Sequence, residues 1–252
     1  MGGVRFDALT ASQVVARVVT ELRRGRGGTI TTPDVDVVRQ TRRRPDTRDH
    51  VTDTAVVLPG GAPLVWASRL ARTGLPERVA AADLVWKLCE AAAADRRRVF
   101  LLGGTPGGER STACLAAQRL ATRYGRLHVA GACSPPVGFD SDPEVMAALR
   151  DELTGAQPDI VCVGLGFPKQ EQIIAALAPS LPHAWFLGCG SGLDYVAGLR
   201  RRAPLWMRQG GLEWLHRLAC EPRRLFGRYV VHGIPAVGGI LVQAAWQRFR
   251  PR

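Results

Sequence analysis

The strongest constraint on the fold is a regular alternation between residues 83 and 187. Short runs that are apolar throughout follow longer segments whose apolar residues recur at helical spacing. Strands are predicted at residues 98–102, 127–131, 160–163 and 184–187, and helices at residues 83–94, 109–124, 142–154 and 169–177. Continuously apolar strands alternating with amphipathic helices are typical of parallel sheets. The sequence therefore predicts an α/β protein whose parallel sheet is sandwiched by helices.

The N-terminal third continues this pattern with weaker signals. Helical spacing predicts a helix at residues 7–23, with Thr10 or Ser12 as its N-terminal cap. The remaining elements are strands at residues 29–32 and 55–58 and helices at residues 34–50 and 64–72. Ligands of such sheets bind at the carboxyl ends of the strands, so the loops that follow the strands are the candidate site.

Positive charge is concentrated at the C-terminal end. The 252 residues carry a formal net charge of +12, but residues 199–252 alone hold 11 arginines against two glutamates, a net charge of +9. Residues 1–198 account for only +3. We therefore predict a nearly neutral core at residues 1–198 and a basic appendage at residues 199–252, which attracts phosphate groups.

Composition excludes several classes of protein. An apolar content of 46% can bury a full core, which excludes a disordered chain and a disulfide-stapled miniprotein. The six cysteines form no CxxC pair and have no histidine at ligand spacing, so we expect buried thiols in a reducing compartment and no metal site. The N-terminus lacks the apolar stretch of a signal peptide. These features predict a cytoplasmic protein.

The appendage mixes tryptophan, leucine and arginine. Its apolar run at residues 229–246 is interrupted by glycines and Pro235, so we predict that it is short for a spanning helix and poorly helical in its middle. It either lies in the membrane interface with tryptophan and arginine at headgroup depth, or packs on the sheet as a helical pair; the two can hold together. Self-association through the same apolar surface stays open. Nucleic acid is not a predicted partner, because exposed interleaved aromatics are missing.

Three glycine-rich loops follow predicted strands. They are the segments with Gly103, Gly104, Gly107 and Gly108, with Gly164 and Gly166, and with Gly188, Gly190 and Gly192. Without side chains, backbone N–H groups can approach a phosphate at the start of the following helix. None matches a P-loop, and each alone is typical of an ordinary strand–helix turn. Three on successive strands favour a nucleotide or sugar nucleotide as ligand.

Residues 163–171, VGLGFPKQE, are the most specific motif. Lys169, Gln170 and Glu171 place a cation, an amide and a carboxylate at the ligand-binding edge of the sheet. The amide of Gln170 both donates and accepts, as recognition of a sugar hydroxyl or a uracil edge requires. Glu171 also suits the first turn of a helix, which is the structural alternative. Asp194, after the third loop, either meets a sugar hydroxyl or forms a turn.

Several motifs resemble, in order along the chain, those of one bacterial family. They are Thr32-Pro33, Pro59-x-Gly61-x-Pro63-Leu-Val-Trp66, Leu75-Pro-Glu-Arg78-Val79, Val99 to Gly104, residues 163–171, Gly198 with Arg202-Ala-Pro204, and Glu213-Trp214-x-x-Arg217 with Glu221-Pro222. The family comprises the N-acetylmannosaminyl and N-acetylmannosaminuronic acid transferases, called the WecG/TagA/CpsF family or glycosyltransferase family 26. The resemblance covers residues 28 to 230.

The resemblance implies a Rossmann-like core that binds a UDP-sugar without a metal or other cofactor. It implies inversion at the anomeric carbon, transfer to a lipid diphosphate-linked acceptor, and an appendage that contacts the inner face of the cell membrane and closes the active site. The implied pocket residues are Thr32, Arg78 and Gln170, and the implied phosphate-binding arginines are Arg217, Arg224 and Arg228. Arginine suits this task, because it forms bidentate hydrogen bonds to phosphate oxygens.

The sequence departs from the family pattern at the position of the residue that the family uses as its general base. The family's loop usually reads Pro-Asp-Gly, with the aspartate as general base, and here that position is Gly60. Three explanations stay open: Asp34 or Asp36 replaces the missing carboxylate, the acceptor needs no strong base, or the protein is catalytically silent. The first makes Asp34 and Thr32 the predicted catalytic residues.

Three functional hypotheses follow. The chain is an inverting transferase of an N-acetylhexosamine-type sugar in cell-surface polysaccharide synthesis, or a diverged member that glycosylates a soluble specialised metabolite, or a binding protein without activity. In the first, the diphosphate lies against the loops at residues 103–108 and 164–168, which contain Gly103, Gly104, Gly164 and Gly166, together with Arg78 and the appendage arginines. Gln170 and Thr32 then hold the sugar or the base.

Overall fold

The computed structural model of the protein describes residues 3–44 and 47–249. Its centre is a sheet of six parallel strands in the order β2-β1-β6-β5-β3-β4. The strands are β1 (Gly28–Thr31), β2 (Val56–Val57), β3 (Arg98–Gly103), β4 (His128–Cys133), β5 (Ile160–Gly164) and β6 (Trp185–Gly188). The predicted parallel α/β fold is confirmed.

Helices cover both faces of the sheet and form most of the described part of the appendage. In chain order they are α1 (Ala11–Arg23), α2 (Val35–Arg43), α3 (Asp49–Thr52), α4 (Ala62–Ala71), α5 (Ala81–Ala94), α6 (Thr112–Arg123), α7 (Pro143–Ala156), α8 (Lys169–Leu177), α9 (Gly192–Ala197), α10 (Leu205–Gln209), α11 (Glu213–Cys220), α12 (Pro222–Phe226) and α13 (Ile234–Phe249). Most of them connect a strand to the next parallel strand, as parallel pairing requires.

Local side chains set where several helices begin. Thr10 caps α1, as predicted: its hydroxyl accepts a hydrogen bond from the backbone of Gln13 at 3.2 Å, and the Gln13 side chain accepts one from the backbone of Thr10 at 2.8 Å. Ser111 caps α6 and Asp142 caps α7 through similar bonds. Each cap gives a partner to an N–H group that the first helical turn leaves unpaired.

Two predicted helices have different limits. The continuous helix predicted at residues 34–50 is wrong, because α2 ends at Arg43 and Arg44 is extended. Residues 45–46 of that prediction lie outside the described residues. The helix predicted at residues 109–124 opens with a 3₁₀ turn, and α6 begins only after the Ser111 cap. Helical periodicity does not predict α9, since six residues are too few to show it.

β5 and β3 are neighbours in the sheet, and the chain leaves them in opposite directions. After β3 it runs outward to β4, and after β5 it runs the other way to β6. At such a point the connecting loops diverge and leave a crevice outside the carboxyl ends of the strands. The glycine loops after β3, β5 and β6 all open onto this crevice, so the topology puts the three sequence motifs at one place.

Alternate residues of the strands belong to two apolar layers, one on each face of the sheet. In β3, Val99 and Leu101 belong to the layer under α1, α5 and α6, whereas Phe100 and Leu102 belong to the layer under α7 and α8. Successive side chains of a strand point to opposite faces. Both sets are fully buried, which explains why β3 is apolar at every position after Arg98 and β5 is apolar throughout.

The appendage completes a third apolar cluster. Ile240 and Ala244 of α13 are buried against Val38 of α2 and against Leu64 and Ala67 of α4. The appendage thus packs on the core, but α13 contacts mainly the helices α4 and α2, whereas the expectation was a helical pair on the sheet itself. The cluster joins core and appendage through apolar contact, because α2 and α4 would otherwise expose these side chains to water.

The expectation of a poorly helical run at residues 229–246 is wrong. A single helix of 27 residues extends from Pro222 to Arg248, with mean hydropathy 1.4 over its most apolar window. A π-helical turn, Gly227–Gly233, joins α12 to α13 and ends just before Pro235. The wider turn accommodates a proline, which has no N–H to donate. By length and composition alone this helix could cross a membrane, and only 11% of that window is buried.

Candidate functional site

A cavity of ≈ 670 Å³ lies at the carboxyl edge of the sheet, between the strand ends and the appendage. Its floor comes from the loops after β1, β2, β5 and β6, and α11, α12 and the π-helical turn supply its outer wall. Both parts of the chain are thus needed to enclose it. A volume of this size suits a ligand as large as a nucleotide sugar.

Most residues predicted for the site line this cavity. They are Thr32, Asp34, Arg78, Gly104, Gly164, Gly166, Gln170, Glu171, Asp194, Arg217, Arg224 and Arg228. These residues come from both ends of the chain and meet only after folding. Among the described residues, Gly103 and Lys169 are the two predicted site residues that do not line it.

Lys169 faces away from the cavity. Its ammonium nitrogen lies 2.5 Å from a carboxylate oxygen of Asp140 and 5.2 Å from the ring centre of Phe139. Successive helical residues are 100° apart, so with Gln170 and Glu171 turned inward, the first residue of α8 turns outward. Gly103 is the last residue of β3 that pairs with β5, and its partner there is Gly164. The structure thus gives both residues a role in the scaffold.

The glycines of the loops allow close packing as well as ligand approach. Gly104 has φ +83°, and an added Cβ would lie 2.2 Å from the Cβ of Thr112. A Cβ at Gly188 would lie 2.4 Å from the amide nitrogen of Gln170. Such distances are shorter than any real contact, so both positions require glycine.

Gln170 and Glu171 connect the ends of three strands. The Gln170 side-chain oxygen accepts a hydrogen bond from the backbone of Gly190 at 2.6 Å, and its nitrogen donates to Oε1 of Glu171 at 2.9 Å. Thr31, at the end of β1, donates to the same oxygen at 3.5 Å. Gln170 is therefore held rigidly, and one of its amide hydrogens is left for a ligand.

Glu171 has the most perturbed carboxyl group in the cavity. Only 6% of the residue is exposed, and burial raises the pKa of its carboxyl to about 7, against the hydrogen bonds from Gln170, its own backbone and Thr31. Within the described residues, its Oε2 has no hydrogen-bond partner. A buried carboxyl with one oxygen unpaired is costly to ionise, and such groups concentrate at functional sites.

Asp34 is already engaged on both oxygens. Oδ1 caps α2 by accepting a hydrogen bond from the backbone of Val37 at 3.0 Å, and Oδ2 accepts one from Arg228 at 2.9 Å. Arg228 also lies 3.1 Å from Asp36. These contacts favour a role in which Asp34 anchors the Arg228 guanidinium at the cavity.

The position of Gly60 has no room for a side chain. An added Cβ would lie 2.2 Å from the carbonyl oxygen of Thr32, because the loop after β2 packs directly on the loop after β1. The backbone N–H of Gly60 donates to the Pro33 carbonyl at 3.0 Å and holds the two loops together. The loss of the carboxylate is thus accompanied by a closed backbone arrangement. The Thr32 hydroxyl beside it is not hydrogen-bonded within the described residues.

Ion pairs join the appendage to the core around the cavity. Arg78 lies 2.9 Å from Glu213 of α11, and Arg202 pairs with Asp83 and Glu213. Burial raises the pKa of Asp83, but Arg202 and Arg208 outweigh that effect and hold the pKa below its usual value. Ionic pairing of this kind fixes how α11 sits over the strand ends.

Asp194 and Arg224 lie in a second group of ion pairs. Asp194 pairs with Arg200 at 2.9 Å; burial raises the pKa of its carboxyl, and Arg200 opposes that shift. Arg224 lies 2.5 Å from Glu221, which also pairs with Arg200. Both residues line the cavity with their charges compensated.

Arg217 is the exception among the arginines of the cavity wall. Its one hydrogen bond within the described residues is to the Ser191 hydroxyl at 3.3 Å, and no carboxylate there pairs with it. Arg78, Arg202, Arg224 and Arg228 all have carboxylate partners. Arg217 therefore brings an uncompensated positive charge to the cavity, where it attracts an anion.

Sequence reasoning missed several residues of the cavity wall. Arg202 and Glu213 belong to the family motifs, so the sequence alone could have identified them as candidate site residues. Tyr195, Trp214 and Tyr229 line the wall as well, with Trp214 and Tyr229 in an edge-to-face contact at 6.3 Å. Trp214 also belongs to a family motif, whereas no local pattern distinguishes Tyr195 and Tyr229 from ordinary helix-packing residues.

A parallel α/β sheet with an arginine-lined cavity at its carboxyl edge is typical of proteins that bind phosphorylated ligands at the strand ends. The profile described as "Glycosyl transferase WecG/TagA/CpsF family" matches residues 1–250. The chain belongs to this family of glycosyltransferases.

Two characterised relatives are similar over most of their length. Both are called N-acetylglucosaminyldiphosphoundecaprenol N-acetyl-beta-D-mannosaminyltransferase. The protein of Bacillus subtilis (strain 168) is 29% identical over 198 residues, covering 79% of this chain and 73% of the relative. That of Bacillus spizizenii (strain ATCC 23059 / NRRL B-14472 / W23) is 27% identical over 218 residues, covering 86% and 81%. The family resemblance read from the motifs is confirmed.

Proposed function

We propose that the protein transfers an N-acetylhexosamine-type sugar, with inversion, from a UDP-sugar to a lipid diphosphate-linked sugar in the synthesis of a cell-surface polymer. The observation that carries this is the uncompensated Arg217 in a cavity shared by the strand ends and the appendage. The names of the two relatives, which specify an N-acetylmannosaminyl group and a lipid-linked acceptor, support the donor and acceptor classes.

The arginines perform the electrostatic part of this reaction. When the bond between the sugar and the diphosphate breaks, negative charge develops on the departing phosphate oxygens. Arg217 meets this charge directly, and Arg78 and Arg228 stand beside it, held in place by Glu213 and Asp34. Donors fixed before the reaction need no reorganisation, which is why such positioning lowers the barrier. In this proposal the arginines supply the positive charge, and neither a metal nor another cofactor takes part.

Correct positioning of the donor and the acceptor contributes the rest of the rate enhancement in this proposal. Inversion by direct displacement requires the acceptor oxygen in line with the breaking bond. The free hydroxyl of Thr32, the free amide hydrogen of Gln170 and the carboxylate of Asp194 are the polar groups that orient sugar and base in this proposal.

The appendage also carries the proposed attachment to the membrane. Val231, Val242 and Trp246 of the long helix are between 53% and 72% exposed, as is Trp206 of α10. Apolar side chains at this exposure, next to arginines, are typical of a helix lying in the interface of an anionic membrane. The proposed location is the cytoplasmic face of the cell membrane, where a lipid-linked acceptor would be held close to the cavity.

Turnover with defined substrates tests the proposed function. The full chain, in detergent, is mixed with UDP-N-acetylmannosamine and a polyprenyl diphosphate-linked N-acetylglucosamine, and UDP release is measured with and without a chelator. We expect release that requires the acceptor and is unaffected by the chelator. Absence of UDP binding by calorimetry, together with absence of release, contradicts the proposal. Loss of rate with the chelator contradicts its metal-independent part.

The closed backbone at Gly60 favours a second candidate, a diverged member with a soluble acceptor. The closure alters the part of the cavity where the family places its general base. An acceptor that needs no strong base would therefore suit this cavity better. The same assay separates the two, since release with soluble hydroxyl compounds and none with the lipid-linked acceptor would select the second candidate. UDP binding without release with either acceptor would identify a silent binding protein.

A further inference from the structure

Five exposed arginines lie on two core helices against which the appendage packs. They stand in or just after the last turns of α2 and α4 and are Arg42, Arg43, Arg44, Arg69 and Arg72. Within the described residues, none of their guanidinium groups has a carboxylate partner. We call this set the lateral arginines. Their positive charge is available to a partner outside the chain.

The lateral arginines lie on both sides of α13. Ile240 and Ala244, on the buried face of this helix, pack against Val38 of α2 and against α4. The opposite face is apolar, and its Val242 and Trp246 are more than half exposed. Since a core helix borders α13 on each side, the exposed apolar face of α13 has arginines along both edges.

A second exposed apolar element lies beside α4. Trp66 of α4 lies against the backbone of Gly211, where an added Cβ would be 2.6 Å from the Trp66 ring. Gly211 follows α10, which exposes Leu205 and Trp206 to solvent. Across this face of the molecule, helices with exposed apolar side chains (α10 and α13) thus alternate with helices that carry exposed arginines (α4 and α2).

The same face reaches the cavity. Val35 of α2, Pro63 of α4 and Val237 of α13 line the cavity, so all three helices begin there and run away from it. Trp66 and Ile234 also line the cavity and are 41% and 57% exposed, as residues at its mouth would be. The lateral arginines therefore lie at the far end of a surface whose near end is the opening of the cavity.

Negative charge is scarce on these four helices. α4, α10 and α13 contain no aspartate or glutamate, and Asp36 of α2 is buried and ion-paired. Glu77, after α4, accepts a hydrogen bond from the backbone of Ala11 at the start of α1. Asp49 and Asp53 lie on or just after α3, which packs against α8. The face thus combines apolar side chains with uncompensated arginines, a combination typical of surfaces that bind anionic membranes.

We propose that the lateral arginines bind the phosphates of anionic lipids, so that α2 and α4 of the core form one membrane-binding surface with α10 and α13. The inference rests on the membrane attachment included in the proposed function and extends that attachment from the appendage to the core. Guanidinium groups form bidentate hydrogen bonds to phosphates, which would hold both edges of α13 at headgroup depth. The mouth of the cavity then faces the bilayer, where the headgroup of a lipid-linked acceptor lies.

A second copy of the chain is a poorer partner for this face. In a symmetric pair the same surface of both copies meets, so the two sets of lateral arginines would approach each other. Like charges at such a contact repel, and the described residues of α4, α10 and α13 offer no carboxylate to compensate them. Lipid phosphates supply the compensating charge.

Co-sedimentation with vesicles tests this inference through two variants. Arg42→Gln with Arg43→Gln and Arg44→Gln removes the charge beside α2, and Arg69→Gln with Arg72→Gln removes the charge beside α4. For vesicles of phosphatidylglycerol and phosphatidylcholine, we expect affinity to fall roughly 100-fold and roughly 25-fold, since each arginine contributes about fivefold. Binding to vesicles of phosphatidylcholine alone should not change, because the apolar faces of α10 and α13 are intact.

The matched control removes three charges elsewhere, through Arg96→Gln, Arg110→Gln and Arg126→Gln. These arginines are exposed, have no carboxylate partner within the described residues, and follow α5 or flank α6, in the layer that contains α1. The affinity of this variant for the anionic vesicles should stay within about threefold of the wild type, since charges away from the contact surface are screened by salt.

Each alternative result has a defined meaning. Undiminished binding by both variants, an equal loss in the control, or an equal loss on phosphatidylcholine alone overturns the assignment of lipid phosphates. Self-association without lipid that both variants abolish would assign the face to a second copy and overturn it as well. Thermal unfolding followed by circular dichroism shows whether each variant folds; if one does not, the other decides, because its substitutions lie on a different helix.

UDP release separates this inference from the proposed function. With a long-chain lipid-linked acceptor in anionic vesicles, both variants should turn over more slowly than the wild type. With a water-soluble, short-chain acceptor they should match it, because the lateral arginines do not line the cavity. A wild type that releases no UDP with either acceptor is a failure of the proposed transfer, and vesicle binding still decides the role of the lateral arginines.

Discussion

Replacing Arg217 by glutamine should weaken UDP binding roughly 10- to 100-fold, because a hydrogen bond to a charged group contributes about 1.5–3 kcal/mol. It should lower kcat/KM further, on the order of 10²- to 10³-fold, as happens when a fixed donor to a developing charge is removed. The reason is local: Arg217 is the cavity arginine without a carboxylate partner in the described part of the chain, so its charge is available to the ligand. Calorimetry with UDP and steady-state UDP release measure the two effects.

Arg223→Gln is the matched control for this prediction. Arg223 lies on α12, is exposed, and does not line the cavity, yet its replacement removes the same charge from the same appendage. We expect its UDP affinity to stay within about twofold of the wild type, since exposed charges are screened by salt beyond about 8–10 Å. Equal losses in the two variants would show that the net charge of the appendage, rather than the position of Arg217, governs binding.

The second large effect is expected on membrane binding. Val242→Gln combined with Trp246→Gln removes two exposed apolar side chains that lie one turn apart on α13. Burying such a side chain contributes about 1.5–3 kcal/mol each, so affinity for vesicles should fall about 100-fold or more. Co-sedimentation with vesicles of phosphatidylglycerol and phosphatidylcholine measures it. The buried face of the same helix, with Ile240 and Ala244, is untouched, so the fold should persist.

Val137→Gln serves as the control for the vesicle experiment. Val137 is 95% exposed in the loop after β4, outside the appendage, and its replacement should leave vesicle binding unchanged. Undiminished binding by the double variant would contradict the interfacial role of α13. Concentration-dependent sedimentation without lipid, abolished in the double variant, would assign the same face to pairing with a second copy of the chain.

The identity to the two relatives is low enough for single loops to differ. Sequence identity of 27–29% preserves a fold and its ligand-binding edge while leaving room for substitutions in single loops. Here the loop after β2 packs on the loop that contains Thr32, and Gly60 has no room for a side chain.

Local signals account for much of the fold. Apolar runs predict β3, β5 and β6, because the positions of a strand that are buried on both faces of the sheet favour apolar side chains. The Thr10 cap is equally local, since its partner Gln13 is three residues away. The end of α2 is local as well, because Arg44 precedes Pro45, and the residue before a proline is disfavoured in the helical conformation. The π-helical turn in the appendage escapes such patterns.

The sequence by itself determined the parallel sheet, the glycine loops at its carboxyl edge and the family, because each of these depends on residues that are neighbours in the chain. Only the tertiary structure decided which charges remain available. Lys169 is neutralised by Asp140, Arg228 by Asp34 and Arg78 by Glu213, whereas Arg217 is left unpaired within the described residues. Ionic partners such as Arg228 and Asp34, 194 residues apart, meet by folding alone. Burial, which sets the ionisation of Glu171, likewise exists only once the strand ends have come together.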